Sequence, residues 1–257
     1  MKDILKQSLL FAVALLLFAA CSDWTKVESI DIKETMPWES NPAGWKDYQA
    51  RVRGYKARPH KLTYIRFANS PEGVLNEKGS LRSLPDSLDI VSLTNGENFS
   101  GYDAEDIARM KAVDIKLLYQ IELVKSENPA AAIDKAVSIV SKHSLDGFSF
   151  TAPGSGSASA VLDRLMAAKT EAQMIVFEGD PGILSPSDID RIDLFVLATQ
   201  AIETDFDLRN YLGDVLEAGV PRDKMLLSVS TQGAFRNIEN AELPVLEAMA
   251  DRVVNYG

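Results

Sequence analysis

Short apolar segments alternate with helical segments from Lys61 onward, and this alternation limits the possible folds more than any other feature of the chain. Apolar runs of this kind are typical of parallel strands that are buried on both faces. A regular alternation of strands and helices indicates one parallel sheet. The predicted strands are Lys61–Phe67, Leu88–Leu93, Ile115–Ile121, Gly147–Phe150, Met174–Phe177, Leu194–Ala198 and Leu226–Val229.

The segments between the predicted strands carry signals for the start and the end of helices. Asn128 suits a helix cap, and Pro129 suits the first helical position. Asp103 followed by Asp106 is a weaker start signal, while Gly219 marks the end of a helix. The predicted helices are Ala43–Arg58, Asp103–Val113, Pro129–His143, Ser159–Lys169, Ser185–Asp188, Asp205–Ala218 and Glu239–Ala250.

Seven such units without a glycine-rich phosphate loop favour a barrel over a doubly wound sheet. The fragment Gly154–Ser157 is not a dinucleotide fingerprint, because it lacks a third glycine and an acidic partner at the right distance. A barrel needs one more strand. Either the chain is part of a longer protein, or Val253–Tyr256 begins that strand. The predicted fold is α/β, a (β/α)₈ TIM barrel that is incomplete at its carboxyl end.

The first residues resemble the signal of a bacterial lipoprotein. Lys2 and Lys6 precede an apolar run, Leu9–Ala20, which has the length of a signal-peptide core. Small residues then precede Cys21, the only cysteine, which we expect to be lipidated at the bacterial outer membrane, on its periplasmic or outer face. The predicted domains are a signal peptide at 1–20, a lipidated cysteine with a tether at 21–42, and a helix plus barrel at 43–257.

Composition excludes several classes of function. The formal net charge is −10, so the chain lacks the basic character of a protein that binds nucleic acid. With Cys21, His60 and His143 as the only cysteine and histidines, a disulfide cannot form within the chain and a zinc site is not expected. No cofactor is predicted.

The segment Leu145–Gly154 carries the clearest family signal. It resembles the fourth barrel strand of glycoside hydrolase family 18, the chitinases and endo-β-N-acetylglucosaminidases, which reads Asp-Gly-x-Asp-x-Asp-x-Glu. Asp146 fits this frame, followed by a glycine and a phenylalanine. Ser149 and Thr151 stand at the second and third Asp, and Pro153 stands at the catalytic Glu.

The resemblance implies the barrel fold of the family and the loss of its catalytic acids. In that family the Glu is the general acid, and the third Asp orients the acetamido group of the substrate, which acts as nucleophile. Proline has no proton to donate, and a positioned general acid contributes roughly 10²–10⁴ in rate. Pro85–Ser92 and Phe177–Asp180 are similar to the second strand and the turn after the fifth strand in a group of bacterial lipoproteins of this family. The sequence therefore predicts a family 18-like barrel without catalytic acids.

Polar residues at the predicted strand ends are candidates for a sugar site, since active sites in this fold lie at the carboxyl ends of the strands. Amides and hydroxyls suit the donors and acceptors of a sugar. All three tryptophans precede the barrel, which leaves Phe67, Tyr102 and Phe235 as possible stacking platforms. The candidate polar residues are Asn69, Asn95, Glu122, Thr151, Glu178, Asp180, Gln200 and Gln232.

Three hypotheses about function stay open on the sequence. The first is a catalytically inactive lipoprotein that binds N-acetylglucosamine-containing glycans for uptake or degradation, with outer-membrane glycan-uptake proteins as possible partners. The second is an active glycosidase whose acid has moved to Glu122 or Glu178. The third is a structural or partner-binding lipoprotein without a sugar site. Pro153 argues against the second, and the sequence separates the first from the third poorly.

Overall fold

The computed structural model describes residues 36–69, 79–123, 128–229, 233–237, 239 and 241–244. Contacts divide the chain into two units, Met1–Trp45 and Lys46–Gly257. The described part of the first unit contains helix α1, Pro37–Ser40, which falls inside the expected tether, and the first residues of helix α2, Pro42–Lys56. The expected signal peptide, Cys21, Gln232 and Val253–Tyr256 lie outside the described residues.

Seven parallel strands form one sheet in the order in which they occur along the chain, which confirms the predicted fold class. Neighbouring strands are in register, as in the Ile90–Lys116, Leu118–Gly147 and Phe177–Phe195 pairs. The helices follow the strands, as the alternation predicts. The strands are β1 Tyr64–Phe67, β2 Ile90–Leu93, β3 Lys116–Glu122, β4 Gly147–Thr151, β5 Met174–Gly179, β6 Leu194–Leu197 and β7 Met225–Leu227.

The helices lie close to their predicted bounds. Asn128 caps its helix through a hydrogen bond from the Ala131 N–H, as predicted. The cap before β3 differs from the prediction, because Ser100 is the N-cap residue and Asp103 completes a capping box as its third residue. The remaining helices are α3 Gly101–Ala112, α4 Pro129–His143, α5 Ser155–Ala168, α6 Pro186–Ile189 and α7 Asp205–Glu217.

The sheet is apolar on both faces, which is why its strands read as nearly continuous hydrophobic runs. The face toward the helices carries a core in which the Phe177 ring packs edge-on against Phe150 and Phe195. The opposite face carries a smaller cluster built from strand residues, including Leu118 and Val176. Because side chains alternate along a strand, Ser149, Thr151 and Glu178 lie on this second, inner face.

An aspartate stands immediately before β2, β4 and β6. The carboxylates of Asp89, Asp146 and Asp193 accept hydrogen bonds from N–H groups of the preceding strand or its first flanking residue, at 2.7, 3.0 and 2.7 Å. Each aspartate therefore ties the amino end of one strand to its neighbour.

One predicted helix is wrong in the part that the structure describes. Within the predicted helix Glu239–Ala250, Glu242–Pro244 forms strand β9, which pairs antiparallel with strand β8, Ala234–Arg236, and residues 245–250 lie outside the described residues. Asn237 turns the chain, because its side-chain oxygen accepts hydrogen bonds from the N–H groups of Glu239 and Ala241. Within the described ranges, no helix is long and apolar enough to cross a membrane.

Candidate functional site

The four positions of the strand-four motif do different things. Asp146 lies at the amino end of β4, where its carboxylate accepts from Leu117 N–H at 3.0 Å and pairs with Lys116 at 3.7 Å. It is therefore a structural residue at the end of the sheet opposite the expected site. Ser149 is fully buried, and its hydroxyl lies 2.6 Å from that of Ser92 on β2.

Thr151 and Pro153 occupy the family's catalytic end of the motif. The Thr151 hydroxyl oxygen is buried and has no hydrogen-bond partner among the described residues. Pro153 is exposed in the bend that follows β4. Neither position carries an acidic group, so this part of the site has no residue that could protonate a glycosidic oxygen.

Glu178 is the centre of a buried polar network on the inner face. Its side chain is completely inaccessible to solvent, and its Oε2 atom lies 2.5 Å from Nε of Arg66. The Gln120 amide donates to Oε2 at 2.9 Å. The Tyr64 and Ser92 hydroxyls donate to Oε1 at 2.5 and 3.4 Å. Four donors from β1, β2 and β3 therefore converge on one carboxylate of β5.

The network fixes the roles of its members. Burial raises the pKa of the Tyr64 phenol, and the negative charge of Glu178 raises it further, so Tyr64 remains a hydrogen-bond donor. A carboxylate that accepts from several donors and pairs with arginine acts as an acceptor. Glu178 is thus engaged in holding the barrel interior together, with no oxygen left to meet a ligand.

Glu122 is the other carboxylate beside the motif. It is exposed at the end of β3 and is in register with Thr151. Thr151 also follows the Phe150–Phe177 pair of β4 and β5, which places it at the level of Glu178. The position of the family's third Asp is therefore flanked by one exposed and one buried glutamate.

Three of the predicted site residues form hydrogen bonds within the loops. The amide of Asn69, which is 1% exposed, donates to Asp103 at 3.1 Å. The Asn95 amide donates to the Asn69 carbonyl at 2.8 Å, and Asp180 accepts from Gly182 N–H at 2.9 Å. These side chains shape the loops beyond β1, β2 and β5.

Gln200 lies in a cavity of about 920 Å³ between the edges of β1 and β7. At the carboxyl ends of the strands this cavity is lined by Arg66, Gln200 and Ser228. The Ser228 hydroxyl lies within hydrogen-bond distance of the Gln200 side-chain oxygen and of the Leu197 carbonyl, at 2.5 Å from the latter, and its single hydrogen can be donated to either. The structure thus brings the predicted Gln200 together with Arg66, which sequence reasoning missed. The signal for Arg66 was a cation inside an apolar strand.

The possible stacking platforms differ in accessibility. Phe235 is fully buried, so that prediction is wrong, while Phe67 is partly buried and packs against the helix-facing core. Tyr102 is 52% exposed, and Phe206, which the sequence did not single out, is 72% exposed. Each is the second residue of a helix that follows a strand, α3 or α7, and both therefore lie on the side of the strands' carboxyl ends. Because Phe206 follows a predicted strand and begins a predicted helix, the sequence alone could have identified it as a residue on this side of the sheet.

The described residues contain no cluster of three or more histidine, cysteine, aspartate or glutamate side chains that could hold a metal ion. Besides Glu122 and Glu178, the polar groups gathered here are amides, hydroxyls and one arginine. They can donate to and accept from a polar ligand, while the acid–base pair needed for glycoside hydrolysis is not assembled at strand four.

Comparison with models of protein families gives a match to glycoside hydrolase family 18. The sequence matches the family described as glycoside hydrolase family 18, BT1044-like, over residues 25–149. The match ends at Ser149, just before Thr151 and Pro153. No curated protein sequence matches significantly.

Solved structures of other proteins resemble this chain to different extents. A selenomethionine-labelled glutamate-to-glutamine variant of BT1044 is 18% identical, with a TM-score of 0.64 over 81% of each chain. A family 18 chitinase, ChiB from Flavobacterium johnsoniae, is 14% identical, with a TM-score of 0.47 over 76% of this chain and 75% of that one. A fungal endo-β-N-acetylglucosaminidase of family 18 is 11% identical, with a TM-score of 0.48 over 77% and 87%.

The sequence match covers β1 to β3 and the start of β4, where the sequence frame of the fourth strand was recognised. The fold match to BT1044 extends over most of the chain. Together they show that this chain is similar in sequence to glycoside hydrolase family 18 over residues 25–149 and shares the fold of BT1044 over most of its length.

Proposed function

We propose that this chain is a catalytically inactive, lipid-anchored protein that binds glycans containing N-acetylglucosamine. The observation that carries the proposal is the content of the inner face at strand four. Ser149, Thr151 and Pro153 replace the acids, and the nearest buried carboxylate, Glu178, is engaged by four donors. The fold and the frame of its fourth strand remain, without the groups that cleave the sugar.

The loss of hydrolysis follows from the chemistry of the missing groups. The family mechanism needs a proton donor at the leaving oxygen and a carboxylate that orients the acetamido group. Pro153 can supply no proton, and the Thr151 hydroxyl cannot stabilise a developing positive charge as a carboxylate does. Because two roles are lost together, restoring Pro153→Glu alone leaves the second role unfilled.

Glycan binding is supported by groups that remain at the carboxyl ends of the strands. The cavity holds the Gln200 amide, the Ser228 hydroxyl and the Arg66 guanidinium, which suit the hydroxyl and acetamido groups of a sugar. Tyr102 and Phe206 present exposed rings on the same side of the sheet. A cavity of about 920 Å³ is of the size that small ligands occupy.

Attachment to the outer membrane is proposed from the sequence. The apolar run that ends at Cys21 is the basis for a lipid anchor, and a lipid would carry the membrane affinity of an acidic chain. At that location a glycan-binding protein would serve glycan uptake or degradation, with outer-membrane glycan-uptake proteins as its partners.

A second candidate function is a glycosidase with a relocated acid, and one observation favours it. Glu122 is exposed and in register with Thr151, so it lies beside the position of a family carboxylate. Glu178 suits this role less well, because each of its oxygens already accepts from two groups.

The test measures turnover and binding on the same preparation. We expect no hydrolysis of chitin oligosaccharides or N-glycan cores by the full chain, and binding of chitotetraose with a dissociation constant of roughly micromolar to millimolar, about 4–8 kcal/mol. Gln200→Ala and Phe206→Ala should each weaken binding roughly 2- to 10-fold, as expected for one aromatic or polar contact.

Two results would replace the proposed function with one of the alternatives. Turnover that disappears in Glu122→Gln would establish the relocated acid and end the proposal of an inactive protein. If chitotetraose does not bind at millimolar concentration and no turnover occurs, the structural or partner-binding role replaces the glycan site. The Met36→Ala variant is the matched control, because Met36 is a large apolar residue that is 39% exposed and does not line the cavity.

A further inference from the structure

The cavity between β1 and β7 is lined by charged residues at both ends of the strands. Lys61, Arg222 and Asp223 come before β1 and β7 and therefore lie at the amino ends. Among the described lining residues, Arg66 is the charged one at the carboxyl ends, near the end of β1. A guanidinium at this place can bind an anionic group of a ligand.

Arg66 is oriented for such a ligand. Its Nε lies 2.5 Å from the buried Glu178 carboxylate, yet 53% of the side chain is accessible to solvent. Among the described residues Glu178 is its only ion-pair partner. A guanidinium has five N–H donors in a rigid fork, so a contact through Nε leaves its other nitrogens able to donate outward.

The Glu178 network makes this orientation rigid. Tyr64, Ser92 and Gln120 hold the carboxylate from three different strands, so the anchor of Arg66 cannot easily shift. An arginine that is fixed at one side and exposed at the other is preorganised to bind a planar carboxylate through two parallel hydrogen bonds. Gln200 and Ser228 line the same end of the cavity and can meet the hydroxyl and amide groups of the sugar that carries it.

We propose that the ligand is an acidic glycan, in which an N-acetylated sugar is joined to a sugar that carries a carboxylate, and that Arg66 is its specificity-determining residue. This inference rests on the proposed glycan-binding function and adds the charge of the ligand. The guanidinium of Arg66 binds the carboxylate, and the neutral groups around Gln200 contact the N-acetylated sugar.

The experiment compares two tetrasaccharides that share N-acetylglucosamine and differ in charge. Hyaluronan tetrasaccharide carries carboxylates on alternate sugars, and chitotetraose is neutral. We expect the full chain to bind the hyaluronan probe about 10-fold more tightly than chitotetraose in calorimetry at low salt. Raising the salt concentration should weaken binding of the hyaluronan probe alone, because added ions screen the charge interaction.

Three variants identify the source of the preference. Arg66→Gln should remove the preference, so that the two tetrasaccharides bind with dissociation constants within about 3-fold of each other. Arg66→Lys keeps the charge beside Glu178 but lacks the fork, and it should reduce the preference at least 3-fold. If Arg66→Gln does not fold, Arg66→Lys alone tests the role of Arg66. Arg51→Gln, which changes an exposed arginine outside the cavity lining, should have no effect.

The outcomes separate the two proposals. Equal or weaker binding of the hyaluronan probe, with chitotetraose still bound, overturns the acidic-glycan inference and leaves the glycan-binding function standing. A preference that survives both Arg66 variants overturns the role of Arg66. If neither tetrasaccharide binds, the proposed function itself fails.

Discussion

At the scale of single residues, a buried polar network occupies the inner face of the sheet beside strand four. Glu178 receives hydrogen bonds from three strands and an ion pair from Arg66, and Ser149 bonds to Ser92 where the family has an aspartate. Such a network stabilises the barrel interior only while every member is satisfied, because a buried polar group that loses its partner keeps the cost of desolvation.

Replacing Glu178 with glutamine tests this role. The neutral amide cannot pair with Arg66, and its NH₂ group faces donors, so we expect the free energy of unfolding to fall by about 1–3 kcal/mol. Denaturant titration measures the change. Glu122→Gln is the matched control, and its cost should stay within about 0.5 kcal/mol because Glu122 is exposed. Equal costs for both variants would contradict the network.

The two histidines give opposite pH dependences. In His60, Nδ1 lies 2.7 Å from the Arg58 carbonyl and Nε2 lies 2.9 Å from Asp89. The contact with the carbonyl and the hydrogen bond to Asp89 raise the pKa of His60 above its ordinary 6.5. Its stabilising contribution is therefore complete below pH 6.5 and is lost as pH rises through the raised value. Burial lowers the pKa of His143, which stacks on Phe99, so its contribution is lost as pH falls.

Thermal or chemical unfolding at pH 5.5 and 8.5 checks these signs. His60→Gln should destabilise the protein more at pH 5.5 than at pH 8.5. His143→Gln should show the reverse, with the larger cost at pH 8.5. If both variants have the same pH dependence, the pairing of His60 with Asp89 does not contribute to stability as the structure indicates.

At the scale of elements, a repeated hydrogen bond from a backbone N–H to an aspartate joins neighbouring strands at their amino ends. Asp89, Asp146 and Asp193 each precede an even-numbered strand and each accept an N–H from the neighbouring strand. The sequence shows the repeat as Leu-Asp or Ile-Asp before an apolar run. Asp146, which belongs to the family motif by sequence, therefore has a structural role at the end of the sheet opposite the site.

Asp146→Ala tests that role. The Leu117 N–H would lose its acceptor, so we expect the free energy of unfolding to fall by about 1–3 kcal/mol without any change in glycan affinity. Asp163→Ala is the control, because Asp163 is 68% exposed and its ion pair with Arg191 is worth about 0–1 kcal/mol at most. Loss of binding in Asp146→Ala at unchanged stability would place Asp146 in the site instead.

At the scale of the whole molecule, the proposed function combines a membrane anchor with a binding domain. Because lipid attachment needs a thiol and Cys21 is the only cysteine, one substitution separates the two parts. We expect the wild-type chain to incorporate labelled palmitate and to sediment with membranes, and Cys21→Ala to incorporate none. Cys21→Ala should still bind glycan as the wild type does. Wild-type protein that takes up no label would remove the proposed anchor.

The order of the strands, the fold class and most helix bounds could be predicted from sequence, because buried parallel strands and capped helices leave strong local patterns. The hairpin of β8 and β9, whose second strand lies in the predicted Glu239–Ala250 helix, could not. It depends on Asn237 turning the chain and on the Arg236 N–H bonding to the carbonyl of Glu203, a distant residue. Phe235 was misjudged for the same reason, since its burial depends on what packs over it.

The sequence by itself determined the family frame at Asp146–Pro153 and the absence of its acids, since both are properties of residue identity. Only the tertiary structure decided what the remaining polar groups do. Glu178, Arg66, Tyr64 and Gln120 come from three parallel strands, and their convergence depends on strand register and on which face each side chain takes. Register is set by packing between distant segments, which no local pattern records. For that reason the sequence offered Glu178 as a ligand-binding group, and the fold makes it the anchor of Arg66.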